Sequence, residues 1–326
     1  MSPKRLLCAA VATMAAAALV AAPAAQADPT GTPNFRDIVA VGSDTTQTVM
    51  NGLSDAITIN GNKVMGSYDA RGSATIQTKE TGCTIPRPAS SGEGVNALVA
   101  AVEGNTNCVQ VARSSSNSAS TFPGKNLTYI PFAVDAMTYA VRSDSTVSKK
   151  LTTAQLKSIY NCTAPGVGTN FKPLLPQFGS GSRDFFLKQL GLTNTANYTT
   201  QFPCVIDTDV NGEPIQEHVG TYLTDTKQIL PYSIAVYASQ IYGNAPAAQG
   251  KAVLATFNNV APTVLNTSSS FKRDVYNVVP SQKLSESAYS QLFVGGTSLV
   301  CTRTDVITQF GFGVNPNCGS TQIVTP

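Results

Sequence analysis

Residues 178–191 read Phe-Gly-Ser-Gly-Ser-Arg-Asp-Phe-Phe-Leu-Lys-Gln-Leu-Gly and place a Gly/Ser loop directly before a short helix. Ser182 is a natural N-cap, and Gly191 stands where a helix ends. Gly179 and Gly181 allow the backbone to approach a ligand closely. Free N–H groups and hydroxyls at the positive end of a helix favour an anion. A loop of this kind is more often an ordinary helix start, so an anion site requires partners elsewhere in the chain.

Two further polar turns stand in front of helical patterns. Residues 42–46, Gly-Ser-Asp-Thr-Thr, follow the strand-like residues 35–41, and residues 88–94 open a second helix. At another strand end, Arg113 and Ser114 add a cation and a hydroxyl. Strands and helices alternate along the chain, which predicts a mostly parallel α/β fold. Because ligands of an open α/β sheet lie beyond the carboxyl ends of its strands, the turns are expected to converge on a small oxyanion.

Composition argues against several classes of partner. The chain has 326 residues, a formal net charge of +3, 13% charged residues and no Trp. A nearly neutral surface argues against nucleic acid, which would require a basic face. No apolar run after the amino-terminal segment reaches membrane-spanning length. The length suits two domains, or one two-lobed domain, with an ample core.

Residues 1–27 are predicted to be a cleaved signal peptide. Lys4 and Arg5 precede an apolar, Ala-rich segment, and Ala-Gln-Ala fits a cleavage site immediately before Asp28. A lipoprotein signal would need a cysteine at the cleavage point, and Cys8 lies too early, so no lipid anchor is expected. The mature protein is therefore predicted to be secreted, either extracellular or periplasmic.

Six cysteines remain after the predicted signal peptide is removed. An even number in an exported protein predicts three disulfides. Sequence alone leaves the pairing open, and we expect neighbours to pair because each such bond closes a moderate loop: Cys83–Cys108, Cys162–Cys204 and Cys301–Cys318. A metal site is the weaker interpretation, since the chain has no C-x-x-C pair and one histidine, His218. No metal ion or cofactor is therefore expected.

Six short motifs follow one another in an order that resembles the phosphate-binding proteins of ABC importers, within the type II periplasmic-binding superfamily. They span most of the mature chain and lie at residues 42–46 (Gly-Ser-Asp-Thr-Thr), 90–95 (Ser-Ser-Gly-Glu-Gly-Val), 111–114 (Val-Ala-Arg-Ser), 130–135 (Ile-Pro-Phe-Ala-Val-Asp), 151–156 (Leu-Thr-Thr-Ala-Gln-Leu) and 179–183 (Gly-Ser-Gly-Ser-Arg). Because each motif is short, the order carries more weight than any single match.

The resemblance implies an α/β fold of two lobes, joined by two crossovers, with an anion buried in the cleft. The first lobe would comprise residues 28–138 and 238–326, and the second would comprise residues 139–237. The strand-like residues 129–141 would cross between them, and Asp135 is expected to be a structural residue near that crossover. A secreted, monomeric solute-binding protein is implied, which captures a small oxyanion, above all inorganic phosphate, for uptake through an ABC permease. No enzymatic activity is expected.

Carried over motif by motif, the resemblance assigns anion contacts to the three turns and one strand end. The contacts would come from Asp44, Thr45 and Thr46 in the first turn, Ser90 or Ser91 in the second, Arg113 or Ser114 at the strand end, and Ser180, Gly181, Ser182 and Arg183 in the third. One hydrogen bond to a charged acceptor contributes about 1.5–3 kcal/mol, so several together would hold an oxyanion without a large net charge.

Two departures from the family pattern affect the choice of anion. Arg113 or Ser114 stands where the family has an Asp that accepts the proton of phosphate. Residues 176–178, Pro-Gln-Phe, replace an Arg-x-Asp sequence. As a hypothesis, Asp44 is the acceptor, and Arg113 or Arg183 replaces the lost cation. Asp44 is equally explained as a helix cap, and Arg183 by pairing with a carboxylate outside the cleft.

Two other classes of function fit parts of the sequence. A secreted interaction or adhesion module would keep the fold and lack the ligand, which the two departures would permit. A secreted serine-dependent hydrolase would use Ser269 and Lys272, which fit S-x-x-K, or a triad with His218. The S-x-x-K match lacks its companion motifs, and His218 lies in a polar segment where a surface position is expected.

Overall fold

The computed structural model describes residues 28–31, 33–263 and 271–325. The predicted signal peptide and Ser269 of the S-x-x-K match lie outside the described residues. The described chain has a mixed α/β fold with one large sheet, which confirms the predicted fold class.

The described residues form fourteen strands and nine α-helices. The strands are β1 (Ile38–Gly42), β2 (Met65–Ser67), β3 (Thr75–Gln77), β4 (Thr84–Pro86), β5 (Val111–Ser114), β6 (Leu127–Arg142), β7 (Lys150–Leu151), β8 (Lys172–Pro173), β9 (Gln228–Ser233), β10 (Ala252–Leu254), β11 (Thr256–Phe257), β12 (Lys272–Pro280), β13 (Gly313–Val314) and β14 (Ile323–Val324). The helices are α1 (Gln47–Ala56), α2 (Ser91–Glu103), α3 (Thr153–Tyr160), α4 (Gly181–Gln189), α5 (Tyr198–Gln201), α6 (Ile234–Ile241), α7 (Ser287–Phe293), α8 (Leu299–Thr302) and α9 (Thr304–Gln309).

The large sheet is continuous because β6 is 16 residues long. The strand order is β2-β1-β5-β12-β6-β9-β8, and β10, β13 and β14 also pair with β6. Residues 127–136 of β6 pair with β12, and residues 137–140 pair with β9. β1 lies parallel to β2 and β5, whereas β12 is antiparallel to β5 and β6. The prediction of a mostly parallel sheet is wrong, because β9, β10, β12, β13 and β14 all pair antiparallel with β6. The nearly continuous burial of β6 explains why its sequence lacks a polar face.

The fold has two halves with separate apolar cores. The β1 half contains the strands that pair with residues 127–136 of β6, together with β1, β2 and β5. The β9 half contains the remaining part of β6, with β8, β9 and β10. Phe271 packs in the core of the β9 half, and Val275 packs in that of the β1 half. The chain therefore passes from one half to the other again where β12 begins.

The predicted lobe boundaries remain a prediction, and the pairing of two short strands differs from them. The predicted boundaries place β10 and β11 in the first lobe, with residues 238–326. β10 pairs with residues 140–142 of β6, and β11 pairs with β7. Residues 252–257 are thus hydrogen-bonded to the β9 half.

Three disulfides join the cysteines in the predicted pairs, Cys83–Cys108, Cys162–Cys204 and Cys301–Cys318. The first ties the β3–β4 hairpin to the chain after α2. The second links the end of α3 to the turn after α5, and the third links α8 to the carboxyl-terminal segment. Each bond lies within one half, so the disulfides stabilise the halves without fastening one to the other.

Two helix starts differ in how well the sequence predicts them. Thr152 and Gln155 form the expected capping box at α3. At α4 the cap is Ser180, whose hydroxyl accepts from the backbone N–H of Arg183 at 3.0 Å. The prediction that Ser182 caps this helix is wrong, because Ser182 already lies in the first turn and its hydroxyl is engaged elsewhere.

α2 lies against the end of β1 at a contact between two glycines. A Cβ atom on Gly94 would lie 2.6 Å from the Cα of Gly42 and 3.0 Å from the carbonyl oxygen of Val41. Gly42 has a φ of +114°, a conformation that favours glycine. This close approach places the turn after β1 beside the start of α2, so packing brings two of the predicted anion turns together.

We expect Gly94→Ala to destabilise the fold by about 1–3 kcal/mol, because the added methyl overlaps backbone atoms that cannot rotate away. Urea unfolding measures the change. Gly296→Ala is the control, since the nearest atom to its added Cβ is 4.0 Å away. Equal stabilities of the two variants would show that the contact between α2 and β1 is not tight.

Candidate functional site

The three predicted turns face one another at the junction of the two halves. Thr45 follows β1, Ser91 begins α2 and Gly181 begins α4. The N–H of Gly92 donates to the carbonyl of Gly179 at 3.2 Å, which joins the start of α2 to the loop before α4. A Cβ atom on Gly181 would lie 2.5 Å from the Oγ of Ser91, so these helix starts touch.

The hydroxyls of Thr45 and Ser182 form the centre of this junction. Their oxygen atoms are 3.1 Å apart although the two residues belong to different halves, and both residues are completely buried. Arg273 of β12 donates from Nη2 to the Ser182 hydroxyl at 2.9 Å and reaches the Thr45 hydroxyl at 3.5 Å. Two hydroxyls and one guanidinium therefore converge on a single buried point.

Asp135 holds the guanidinium of Arg273 in place. The two residues are register partners on β6 and β12, and the Asp135 Oδ2 accepts from Nη2 at 2.8 Å and from Nε at 3.1 Å. The Oδ1 atom accepts from the hydroxyl of Ser233 at 2.7 Å and from the N–H of Ala235 at 3.3 Å. A buried ion pair needs such additional hydrogen bonds. The contacts support the structural role expected for Asp135.

Glu217 places a carboxylate at the point where the two hydroxyls meet. Its Oε2 accepts from the Thr45 hydroxyl at 2.6 Å and from the Ser182 hydroxyl at 2.8 Å, and the Nε2 of His218 is 3.3 Å away. The residue is almost completely buried. The hydroxyls that the sequence assigned to an external anion thus bind an acidic side chain of the same protein.

His218 supports this cluster from the adjacent position. Its Nδ1 accepts from the N–H of Ser233 at 3.1 Å, so the proton of the neutral ring lies on Nε2. Nε2 then donates to the Thr45 hydroxyl at 2.9 Å. The carbonyl of His218 accepts from the hydroxyl of Tyr232 at 2.6 Å and from Nε2 of Gln240 at 3.0 Å. The prediction of a surface position for His218 is wrong, since the ring lies among buried hydrogen-bonding partners.

The two carboxylates of the site have pKa values shifted in opposite directions. Burial acts to raise the pKa of Glu217, but the adjacent His218 ring and the hydrogen bond from Thr45 outweigh it and hold the pKa far below its ordinary 4.5. Burial raises the pKa of Asp44 above its ordinary 3.8, although Arg71 opposes this shift. Glu217 is therefore the anionic group at the centre of the cluster.

Arg71 lies at the outer side of the cluster and connects the halves. Its Nη2 donates to the Asp44 carboxylate and to the backbone carbonyl of Glu217. A cavity of about 200 Å³ is lined by Arg71, Asp44, Asp69 and His218, among others. Arg71 thus already donates to the Asp44 carboxylate. That Asp44 accepts the proton of a bound anion stays a prediction.

The two arginines predicted to supply the cation make other contacts. Arg183 pairs with Asp207 at 2.8 Å and bonds Asn194 at 3.0 Å, away from the cluster. Each nitrogen of the buried Arg113 guanidinium donates within the β1 half, to oxygen atoms of Ala40, Gly42, Ser43, Ser67 and Tyr68. We infer structural roles for both in place of the predicted ligand roles. Arg273 instead brings a guanidinium to the junction.

The remaining predicted contacts divide between structural bonds and one unpaired hydroxyl. Ser90 caps α2, and the Ser91 hydroxyl accepts from the N–H of Ser115 at 3.1 Å. The Ser114 hydroxyl donates to a nearby backbone carbonyl at 2.7 Å. The Thr46 hydroxyl is buried and has no hydrogen-bond partner among the residues that the structure describes.

Ser182, His218 and Glu217 are close together but do not form a catalytic triad. The Ser182 hydroxyl is 3.4 Å from Nε2 of His218, yet this nitrogen carries the ring proton and cannot take the proton of serine. Glu217 bonds the hydroxyls rather than the Nδ1 atom that it would have to orient. Ser182 therefore has neither a base at Nε2 nor a carboxylate that orients the ring.

The described ranges hold neither a metal cluster nor a membrane span. No three of their His, Cys, Asp and Glu residues are grouped so that they could hold a metal ion. None of their helices is both long and apolar enough to cross a membrane.

Sequence reasoning missed Glu217 and Arg273. Arg273 lies in β12, two residues before the strand-like residues 275–279 of the sequence, and a charge at an inward strand position needs a buried partner. Glu217 has polar neighbours on both sides and offered no comparable signal.

We expect Glu217→Gln to reduce the acid sensitivity of the fold. The pKa of Glu217 is lower in the folded chain than its ordinary 4.5. Its stabilisation is therefore present above pH 4.5 and is lost as the pH falls below that value. Urea unfolding between about pH 6 and about pH 3.5 should show a smaller loss of unfolding free energy in Glu217→Gln than in the wild type.

The exposed Glu213, in the same loop, provides the matched control. Glu213→Gln should keep the acid dependence of the wild type. The same acid dependence in all three proteins would contradict a buried, ionised Glu217.

Two solved structures of low sequence identity are similar to this chain. One is from Clostridium perfringens, is described as a phosphate ABC transporter substrate-binding protein and contains bound phosphate; it has 16% identity and a TM-score of 0.57 over 85% of this chain and 99% of that chain. The other is an ABC-type phosphate transport receptor from Vibrio cholerae, with 15% identity and a TM-score of 0.55 over 85% of this chain and 100% of that chain. At these identities the similarity shows the fold alone.

A family match covers most of the chain, whereas no curated protein matches it. The match is to the PBP superfamily domain and extends over residues 21–283. This range contains the three turns, Glu217 and Arg273. The chain belongs to the PBP superfamily.

Proposed function

We propose that this protein is a secreted solute-binding protein that captures a small oxyanion between its two halves. Inorganic phosphate is the oxyanion that we favour. The observation that carries the proposal is the meeting of the Thr45 and Ser182 hydroxyls, one from each half, beside the guanidinium of Arg273. Such a group of donors from two halves suits an anion that is enclosed when the halves close.

The strength of these donors is sufficient for a small anion. A hydrogen bond to a charged acceptor contributes about 1.5–3 kcal/mol, and burial keeps water from competing for it. The starts of α1, α2 and α4 add backbone N–H groups at positive helix ends. Arg273 supplies the cation that the sequence lacks at the family position. The nearly neutral chain therefore does not count against anion binding.

Fold similarity supports phosphate as the first anion to test. The proteins from Clostridium perfringens and Vibrio cholerae are both named for phosphate transport, and the first contains bound phosphate. By the same reasoning, we propose an ABC permease as the partner that receives the anion. The predicted signal peptide and the three disulfides are consistent with an exported protein, and we propose that it acts as a monomer.

A hydrolase is not the function that we propose. The Ser233 N–H fixes the tautomer of His218 in which Nε2 is a donor, so His218 does not act as a base toward Ser182. We therefore propose binding without catalysis.

We expect phosphate to bind saturably to the purified mature protein, and Gly181→Val to weaken this binding about tenfold. The added side chain would enter the contact between α4 and Ser91, where even a Cβ atom would lie 2.5 Å from Oγ. It thereby keeps the α2 turn from closing on the anion. Isothermal titration calorimetry measures the affinity, and Gly296→Val is the control at an open position.

The titration also separates phosphate binding from the interaction module. No heat of binding and no thermal stabilisation by phosphate, sulfate or arsenate would contradict the proposed function. That result would favour a secreted interaction module that keeps the fold without the ligand.

A further inference from the structure

The carboxylate of Glu217 lies where the proposed oxyanion contacts converge. Oε2 accepts hydrogen bonds from Thr45 in the β1 half and from Ser182 in the β9 half. Its other oxygen, Oε1, is buried and has no hydrogen-bond partner among the described residues. Glu217 therefore uses one acceptor atom to bridge both halves.

The backbone of Glu217 makes a second connection between the halves. Arg71 follows β2 in the β1 half and donates to the carbonyl oxygen of Glu217. The segment that carries Glu217 belongs to the β9 half, where Ile215 packs against Leu230 and Tyr232. Side chain and backbone of one residue thus hold the two halves together.

The conformation of the next residue directs Glu217 inward. His218 has a φ of +55°, in the left-handed region that non-glycine residues seldom adopt. Tyr232, Ser233 and Gln240 hold its carbonyl and ring by hydrogen bonds. An ordinary surface loop would not require three buried residues to hold such a conformation.

We propose that Glu217 is an internal ligand of the anion site: its carboxylate closes the two halves in the absence of solute, and an oxyanion binds by displacing it. This inference rests on the proposed function. The depressed pKa of Glu217 agrees with it, since the side chain remains an anion at neutral pH.

An internal ligand of this kind selects among anions. The Glu217 carboxylate bonds the Thr45 and Ser182 hydroxyls but makes no described contact with the α2 turn at Ser90 and Ser91. A tetrahedral oxyanion has oxygen atoms for all three turns and gains contacts that Glu217 does not make. A halide offers no more acceptor atoms than the one already in use. Displacement of Glu217 therefore favours anions with several acceptor oxygen atoms over halides.

The opposite assignment predicts the opposite result. If Glu217 remained in place and accepted a proton from the bound anion, its removal would weaken binding. If Glu217 is a competitor, its removal increases the fraction of protein that can accept the anion, and the apparent dissociation constant falls by that factor.

The first test uses the anion-free protein and does not depend on phosphate. Small-angle X-ray scattering of the wild type, Glu217→Ala and the control Glu213→Ala would be compared after exhaustive dialysis into anion-poor buffer. We expect the radius of gyration of Glu217→Ala alone to rise, by about 1 Å on ~19 Å. Equal radii in all three proteins would overturn the closing role of Glu217.

The second test measures phosphate affinity by calorimetry. Glu217→Ala and Glu217→Gln should each bind phosphate more tightly than the wild type, by about tenfold for Glu217→Ala, whereas Glu213→Ala should not. Unchanged or weaker phosphate binding by the Glu217 variants would overturn the proposal that Glu217 competes with phosphate. Glu217→Gln keeps the packing and removes the charge, so the comparison stands if Glu217→Ala does not fold, as judged by circular dichroism.

The two tests distinguish failure of this inference from failure of the proposed function. If Glu217→Ala expands but no protein binds phosphate, the closing role stands and the proposed phosphate function fails. If phosphate binds equally to wild type and Glu217 variants, the proposed function stands and the internal ligand is rejected.

Discussion

The ion pair between Asp135 and Arg273 fixes the elements that meet at the junction of the two halves. Asp135 lies on β6 and Arg273 is its register partner on β12, while Ser233 and Ala235 bring the β9–α6 turn to the same carboxylate. Removing either charge would leave the other buried without a partner, which costs about 3–5 kcal/mol in comparable cases. The position of the guanidinium is therefore set by the fold itself.

From this pair the polar contacts form a chain across the junction. Arg273 donates to Ser182, Ser182 and Thr45 donate to Glu217, and His218 donates to Thr45. The Ser182 hydroxyl receives a hydrogen bond from Arg273, and the Thr45 hydroxyl receives one from His218 and a longer one, of 3.5 Å, from Arg273. Both hydroxyls donate to Glu217 and are therefore satisfied within the protein. Since the hydrogen bonds of this chain all donate toward its last member, that member must be an anion or a strong acceptor. In the closed fold, Glu217 is that acceptor.

Local sequence patterns predicted the parts of the site that depend on neighbouring residues. Helix starts after Gly/Ser/Thr turns identified Thr45 and Ser182, and disulfides between neighbouring cysteines were confirmed. Partners far apart in sequence were not predictable. Arg113 lies at a strand end, where an anion-binding residue is expected. Its actual partners are backbone carbonyls that the folded sheet brings together, and these are distant in sequence. The polar sequence neighbours of His218 predict an exposed position, whereas its burial depends on β9 and α6.

The electrostatics of the junction explains why the carboxylate of Glu217 lies there. Arg273, the buried hydroxyls and three helix starts all favour negative charge, and a buried unpaired donor costs about 1–3 kcal/mol. A closed fold without an anion would carry this cost for several donors at once. Glu217 removes the cost by supplying its own charge, and the same contacts then oppose any incoming anion. For the solute that we propose, the affinity is a difference between two sets of contacts, and the α2 turn, which Glu217 does not use, would give the external anion its advantage.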